Sequence, residues 1–203
     1  MTPLGTLVFS AIGVLFAGGV AALIWRAVRG NDAMVDTLRR DGWTVTQSQP
    51  GAVTKWRARR VKDGVTSDIE VTARGVRNKT VWSSIRMNAD TGEADVLVER
   101  KMPGFLASDG AMADILGFKL PPRWNGANPT FAVDHQAYAS GDSAAARWLS
   151  EMNQHAIVEF NQTAAHRVSI RFHDGAIQAH WAEEPRDAAH IESVVALLHM
   201  LRR

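Results

Sequence analysis

Leu4 to Trp25 is a run of 22 residues without a charged side chain. At about 1.5 Å rise per residue a helix of this length reaches about 33 Å, enough to cross a hydrocarbon core of about 30 Å. The sequence therefore predicts an N-terminal transmembrane helix, with residues 1–30 as a membrane anchor. A cleavable signal peptide would need a cationic start and an apolar stretch of about 7 to 15 residues. Here only Met1, Thr2 and Pro3 precede the run. Trp25 and Arg26 close it as an aromatic and basic interface anchor would.

Positive residues are retained on the cytoplasmic side of a span. The N-terminal flank has none, whereas Arg26, Arg29, Arg39 and Arg40 follow the run. The expectation is a single-pass protein of a bacterial-type plasma or inner membrane, with its N-terminus outside and its soluble part in the cytoplasm. Gly13, Ala17 and Ala21 recur at every fourth position and stack small side chains on one helix face. Such a face lets a second helix approach closely, so it is the candidate surface for a homodimer or a protein partner through the span. Gly and Ala are common in spanning helices for packing reasons alone.

The rest of the chain has the means to fold. Apolar residues make up 46% of the 203 residues, enough for a buried core. There are no cysteines, which excludes disulfide frameworks, thiolate zinc sites, iron–sulfur clusters and cysteine nucleophiles. With 23 Lys and Arg against 21 Asp and Glu the formal net charge is only +2, so a polycationic nucleic-acid binder is not expected.

Gly30-Asn31 interrupts the N-terminal periodicity, and residues 31–42 read as a juxtamembrane helix with Met34, Val35 and Leu38 on one side and Gly42 as its stop. Beyond it, residues 43–203 are expected to form one soluble domain whose leading period is two. Asp63-Gly64 is a favoured two-residue turn, and the register it imposes sets Trp56 opposite Val71 and Ala58 opposite Ile69. The other face then sets Arg57 against Glu70 and Arg59 against Asp68. A slip of one residue would destroy both the apolar face and the charge pairs. Asp174-Gly175 predicts a second hairpin, with Phe172 opposite Ile177, Ile170 opposite Ala179 and Val168 opposite Trp181.

Further strands are expected at 43–47, 80–87, 93–100 and 130–137, and a short helix at 110–116 within an irregular stretch, 102–129. A helical region from Asp142 or Ser143 to about Phe160, with a break near Asn153, would bury Leu149, Met152, Ala156 and Phe160. The last helix starts around Pro185 and buries Ala188, Ile191, Val195 and Leu198. The fold class is α+β: a transmembrane helix, then an antiparallel-sheet domain with its helices mainly in the C-terminal half.

Chemistry is harder to read. All seven histidines lie between His135 and His199, yet His173 and His180 fall about 13 Å apart on the second hairpin, too far to share one ion. Glu151, His155 and Glu159 share one side of a helix, which is also ordinary surface design. No Gly-x-Ser-x-Gly elbow, phosphate loop or His-Glu-x-x-His motif occurs in the sequence. No catalytic residue, metal ligand or cofactor is assigned.

The most basic run is Lys55 to Lys62, and residues 34–101 carry 13 Lys and Arg against nine Asp and Glu, a net of +4. With Arg57 and Arg59 committed to the hairpin, Arg60, Lys62, Arg74, Arg77 and Lys79 are the candidates to face anionic lipid headgroups. They also suit an ordinary solvated face. The functional expectation is a binding or scaffolding domain at the cytoplasmic membrane face. The alternative is a membrane-tethered enzyme or metal-binding domain that uses the histidine-containing C-terminal half.

Overall fold

A computed structural model of the protein describes residues 33–47, 54–74, 80–101, 117–164, 166–185 and 187–202. The apolar run from Leu4 to Trp25, its small-residue face at Gly13, Ala17 and Ala21, and the helix expected at 110–116 lie outside them. Among the described residues no helix is long and apolar enough to cross a membrane.

Helix α1 occupies 33–40 and ends where the Trp43 amide bonds back to the Leu38 carbonyl at 2.9 Å. Gly42 makes this reversal at φ +85°, a conformation that a side chain would oppose. Four strands follow: β1 (Thr44–Gln47), β2 (Thr54–Lys62), β3 (Val65–Arg74) and β4 (Thr80–Asn88). The chain continues through β5 (Val96–Arg100), β6 (Arg123–Trp124), α2 (Pro129–Asp134), β7 (His135–Ala139), α3 (Asp142–Trp148) and α4 (Glu151–Thr163). It ends with β8 (Ser169–His173), β9 (Ala176–Ala182) and α5 (Ala188–Leu201).

All nine strands form one antiparallel sheet in the order β1-β2-β3-β4-β9-β8-β5-β7-β6. The first hairpin has the expected register, from Lys62 opposite Val65 to Trp56 opposite Val71. Its turn residues sit at φ +51° (Asp63) and +72° (Gly64), the left-handed pair that matches strand twist. The second hairpin likewise pairs Phe172 with Ile177 and Ile170 with Ala179, while Val168 lies just before its ladder. That hairpin is wedged between β4 and β5, so the strands expected at 80–87 and 93–100 are not neighbours.

Helices from both ends of the sequence cover the inner face. Leu38, Phe131, Trp148, Ile157 and Leu198 belong to the same core cluster as Trp56, Ile69, Ile85, Ile170 and Trp181 from the strands. Helix α1 is thus part of the packed body, with Met34, Val35 and Leu38 all buried.

Two sequence expectations are corrected here. Residues 130–134, expected as strand, are helical: Asn128 caps the Thr130 amide at 2.8 Å and Pro129 occupies the first turn, so β7 starts only at His135. The apolar stripe expected around α4 holds at Leu149, Ala156 and Phe160, which meet the core, but Met152 is 68% exposed and Asn153, Gln154, Ile157, Val158 and Asn161 are buried. The buried amides are satisfied by backbone. Asn153 donates to the Trp148 carbonyl at 3.0 Å and Gln154 to the Leu149 carbonyl at 2.6 Å, spanning the break between α3 and α4.

Candidate functional site

The outer face of the sheet is covered at one end and open at the other. Over β5 and β7 the outward side chains Leu97, Glu99 and Tyr138 are buried. Near them Phe118 lies over the Arg171 guanidinium at 3.6 Å, and Asp95 holds Arg171 through two bonds of 3.1 Å. His173 reaches the same carboxylate at 3.6 Å.

Across β3, β4 and β9 the outer face forms a groove of about 320 Å³. Strand register fixes its floor, since side chains two residues apart point the same way. One row runs from Asp68 through Arg86 to Gln178, and the next from Glu70 through Ser84 to His180. Thr72 and Trp82, opposite each other, form the third.

The charges in the groove are already answered. The Arg57 guanidinium contacts Glu70 at 2.6 Å and Arg59 contacts Asp68 at 2.6 Å, from the neighbouring strand β2. Hydrogen bonding and charge from Asp68 hold Arg59 more firmly protonated than usual. Arg86 donates to the Asp174 carbonyl at 2.8 Å. His180, mostly buried, places Nε2 3.2 Å from the Gln178 side-chain amide. Such a surface offers donors and acceptors of every kind beside one indole, with little net charge.

A broader depression of about 510 Å³ lies where Asp63, Asp90, Arg147 and Arg202 meet Trp148. It is built from turn tips and a helix end, and Arg147 there is engaged by the Asp90 carbonyl at 3.0 Å. The groove on the sheet is the better-ordered candidate, because three hydrogen-bonded strands fix its side chains.

Of the basic residues singled out in the sequence, Arg60 and Lys62 are described in full and play different parts. Arg60 is buried, lies over the Trp43 ring at 4.3 Å, and clasps Glu192 of α5 through bonds of 2.8 and 3.0 Å. Glu192 also accepts from the Trp43 indole at 2.9 Å, so Arg60 fastens α5 to the β1–β2 end of the sheet. Lys62 is exposed beside the first turn. Arg74 ends β3 nine residues beyond Val65, about 30 Å away at strand rise. Arg77 and Lys79 lie outside the described residues. The remaining members therefore sit at opposite ends of the hairpin.

The histidines do not assemble into one group, although the rings of His166 and His190 meet at 4.9 Å. His155 and Glu159 approach to 3.9 Å on the exposed side of α4. Among the described residues no group of three or more histidine and carboxylate side chains could hold a metal ion.

His135, which follows Asp134 at the helix-to-strand junction, is buried and stacks on Phe131 at 5.0 Å. Asn161 fixes its tautomer. The Asn161 oxygen accepts from the Val168 amide at 2.8 Å, so its nitrogen donates both to the Val168 carbonyl at 3.1 Å and to His135 Nε2 at 2.9 Å. The imidazole proton is left on Nδ1. Burial pushes His135 below the ordinary histidine value, against the smaller upward pull of Asp134 and the Phe131 carbonyl.

Trp82, Ser84, Arg86, Asp68 and Glu70 were not recognised as a site from sequence. The available signal was the alternation of polar side chains along 82–86, which repeats on the outer side of the second hairpin at Gln178 and His180. On that outer side Arg171 and His180 are both mostly buried.

The fold and site together define an α+β domain built on a nine-stranded antiparallel sheet with one helix-covered face. No protein-family model, curated protein or solved structure matches this chain.

Proposed function

We propose that this chain is a single-span membrane protein whose soluble domain is a binding module held at the cytoplasmic face, with the groove over β3, β4 and β9 as its ligand site. The anchor rests on the uncharged run from Leu4 to Trp25. The binding role rests on one observation: the described helices pack on the inner face, while the outer face of three adjacent strands keeps a groove of hydrogen-bonding side chains.

The chemistry of that groove sets the kind of ligand. Asp68 and Glu70 are each neutralised by an arginine of β2, so neither is placed to act as a general acid or to demand a cationic partner. A molecule without net charge, rich in hydroxyl or amide groups and with one flat apolar surface for Trp82, suits the lining.

Two measurements test the proposal. Carbonate-washed fractions of cells expressing the full chain should retain it in the membrane pellet, and recovery in the soluble fraction refutes the anchor. Saturation-transfer NMR of the full chain in detergent micelles, with a panel of uncharged sugars and amides, should give signals that disappear in Trp82→Ala and His180→Ala. Binding that survives both substitutions refutes the groove.

A further inference from the structure

Behind β9, on the helix-covered side, lies a second cluster of titratable groups that the groove does not use. His190 sits in the first turn of α5, and its ring meets that of His166 edge-on at 4.9 Å. His166 belongs to the link between α4 and β8. The indole of Trp181, on β9, meets His190 edge-on at 5.3 Å, and Phe160 of α4 lies at 6.4 Å. All three polar rings are more than nine-tenths buried. His166 Nε2, His190 Nε2 and Trp181 Nε1 have no hydrogen-bond partner among the described residues.

We propose that His166 and His190 form an acid-sensitive clasp, which fastens the first turn of α5 to β9 at neutral pH and loosens it in acid.

The geometry treats the two imidazoles unequally. His166 Nδ1 lies 3.4 Å from the exposed Glu183 carboxylate, which gives that ring an acidic neighbour. Among the described residues no carboxylate is paired with the His190 ring. The charged and titratable groups described around it are His166 from the α4–β8 link, Glu183 beyond that ring, and Asp187 at the cap of its helix, whose carboxylate is already bonded to the His190 amide at 2.8 Å. From α4 and β9 the rings of Phe160 and Trp181 pack against it. A proton on His190 would therefore be buried beside a second imidazole, between two aromatic rings.

Burial first, and His166 second, push His190 below the ordinary histidine value, while Asp187 offsets part of that. The unfolded chain consequently takes up this proton before the folded one does. Folding weakens as the pH falls below about 6.5, and the loss stops once the folded-state value is passed.

The test uses the full chain in detergent micelles. Urea unfolding at pH 6.5 and 5.5 compares the unaltered protein with His190→Phe, which keeps an aromatic ring and removes the proton site. Each proton refused by the folded state costs up to about tenfold in the folding equilibrium per pH unit. With an unfolded-state value of about 6.5, the unaltered protein should lose up to about fivefold more than the variant across that interval. Equal losses overturn the clasp. Imidazole NMR of the unaltered protein decides the matter even if the variant does not fold. His190 should titrate below its ordinary value and move upward in His166→Gln, and the amides of 188–194 should gain exchange at pH 5.5 relative to those of 169–173. Titration at or above the ordinary value, or no response to His166→Gln, overturns it.

Discussion

Asn161→Ala should be among the most damaging single substitutions on the surface of α4 that meets the sheet, although the residue is polar and its helix looks as if it buries Met152 and Ala156 instead. The side chain is buried and makes three hydrogen bonds, two to the Val168 backbone and one to His135. Removing it leaves the Val168 amide, the Val168 carbonyl and His135 Nε2 without that partner. A buried polar group left unpaired costs about 1–3 kcal/mol. Three such groups, with a water entering the vacated space, give about 3–5 kcal/mol. With a urea m-value of about 2 kcal/mol per molar, the midpoint should fall by about 1.5–2.5 M with little change of slope. Met152→Ala, at a position 68% exposed, should change the stability by no more than about 0.5 kcal/mol. A loss below about 1 kcal/mol for Asn161→Ala, or a larger loss for Met152→Ala, would refute the assignment of the buried face.

Other substitutions test other joints. Gly64→Ala meets no atom within 4 Å, so its cost comes only from the backbone at φ +72° and should be about 1–2 kcal/mol by thermal unfolding; no loss would mean the turn is not left-handed. A double-mutant cycle on Arg57 and Glu70, both substantially exposed, should give a coupling below about 1 kcal/mol that vanishes in high salt. Arg60→Ala should cost more than Arg57→Ala, because it also removes a buried stem and the guanidinium over Trp43; equal costs would show that the contact with Trp43 contributes nothing. His135, lowered by burial, should titrate below its ordinary value by imidazole NMR, adding a loss of stability as the pH falls below about 6.5; titration at the ordinary value would contradict its burial.

Local signals were legible in the sequence and distant ones were not. Both Asp-Gly hairpins could be written residue by residue, because a two-residue turn fixes the register and the apolar face confirms it. The last helix was legible for a similar reason: Ala188, Ile191, Val195 and Leu198 are all buried, as their spacing demands. At 130–134 the alternation of Phe131 and Val133 suggested a strand, but Asn128 and Pro129 had already committed the backbone to a helical turn. Around α4 the reading was right for Leu149, Ala156 and Phe160 and wrong for Met152, because the buried face also carries amides that cap neighbouring loops, which hydrophobic periodicity cannot register. The groove was hidden for another reason. Ser84 meets His180, and Arg86 meets Gln178, only because β9 returns to lie beside β4, a pairing across more than ninety residues that leaves no trace in either segment alone.

The placement of β8 and β9 between β4 and β5 also dictates how the chain must be made. Until β9 has been synthesised, β1 to β4 form a meander ending in a bare ladder on β4, and β5 with β7 forms a separate piece whose β8-facing side is equally open. The two pieces are joined only by the final hairpin, which acts as a keystone. A nascent chain stalled before residue 176 therefore displays two raw sheet edges, the kind of surface that draws chaperones or other stalled chains.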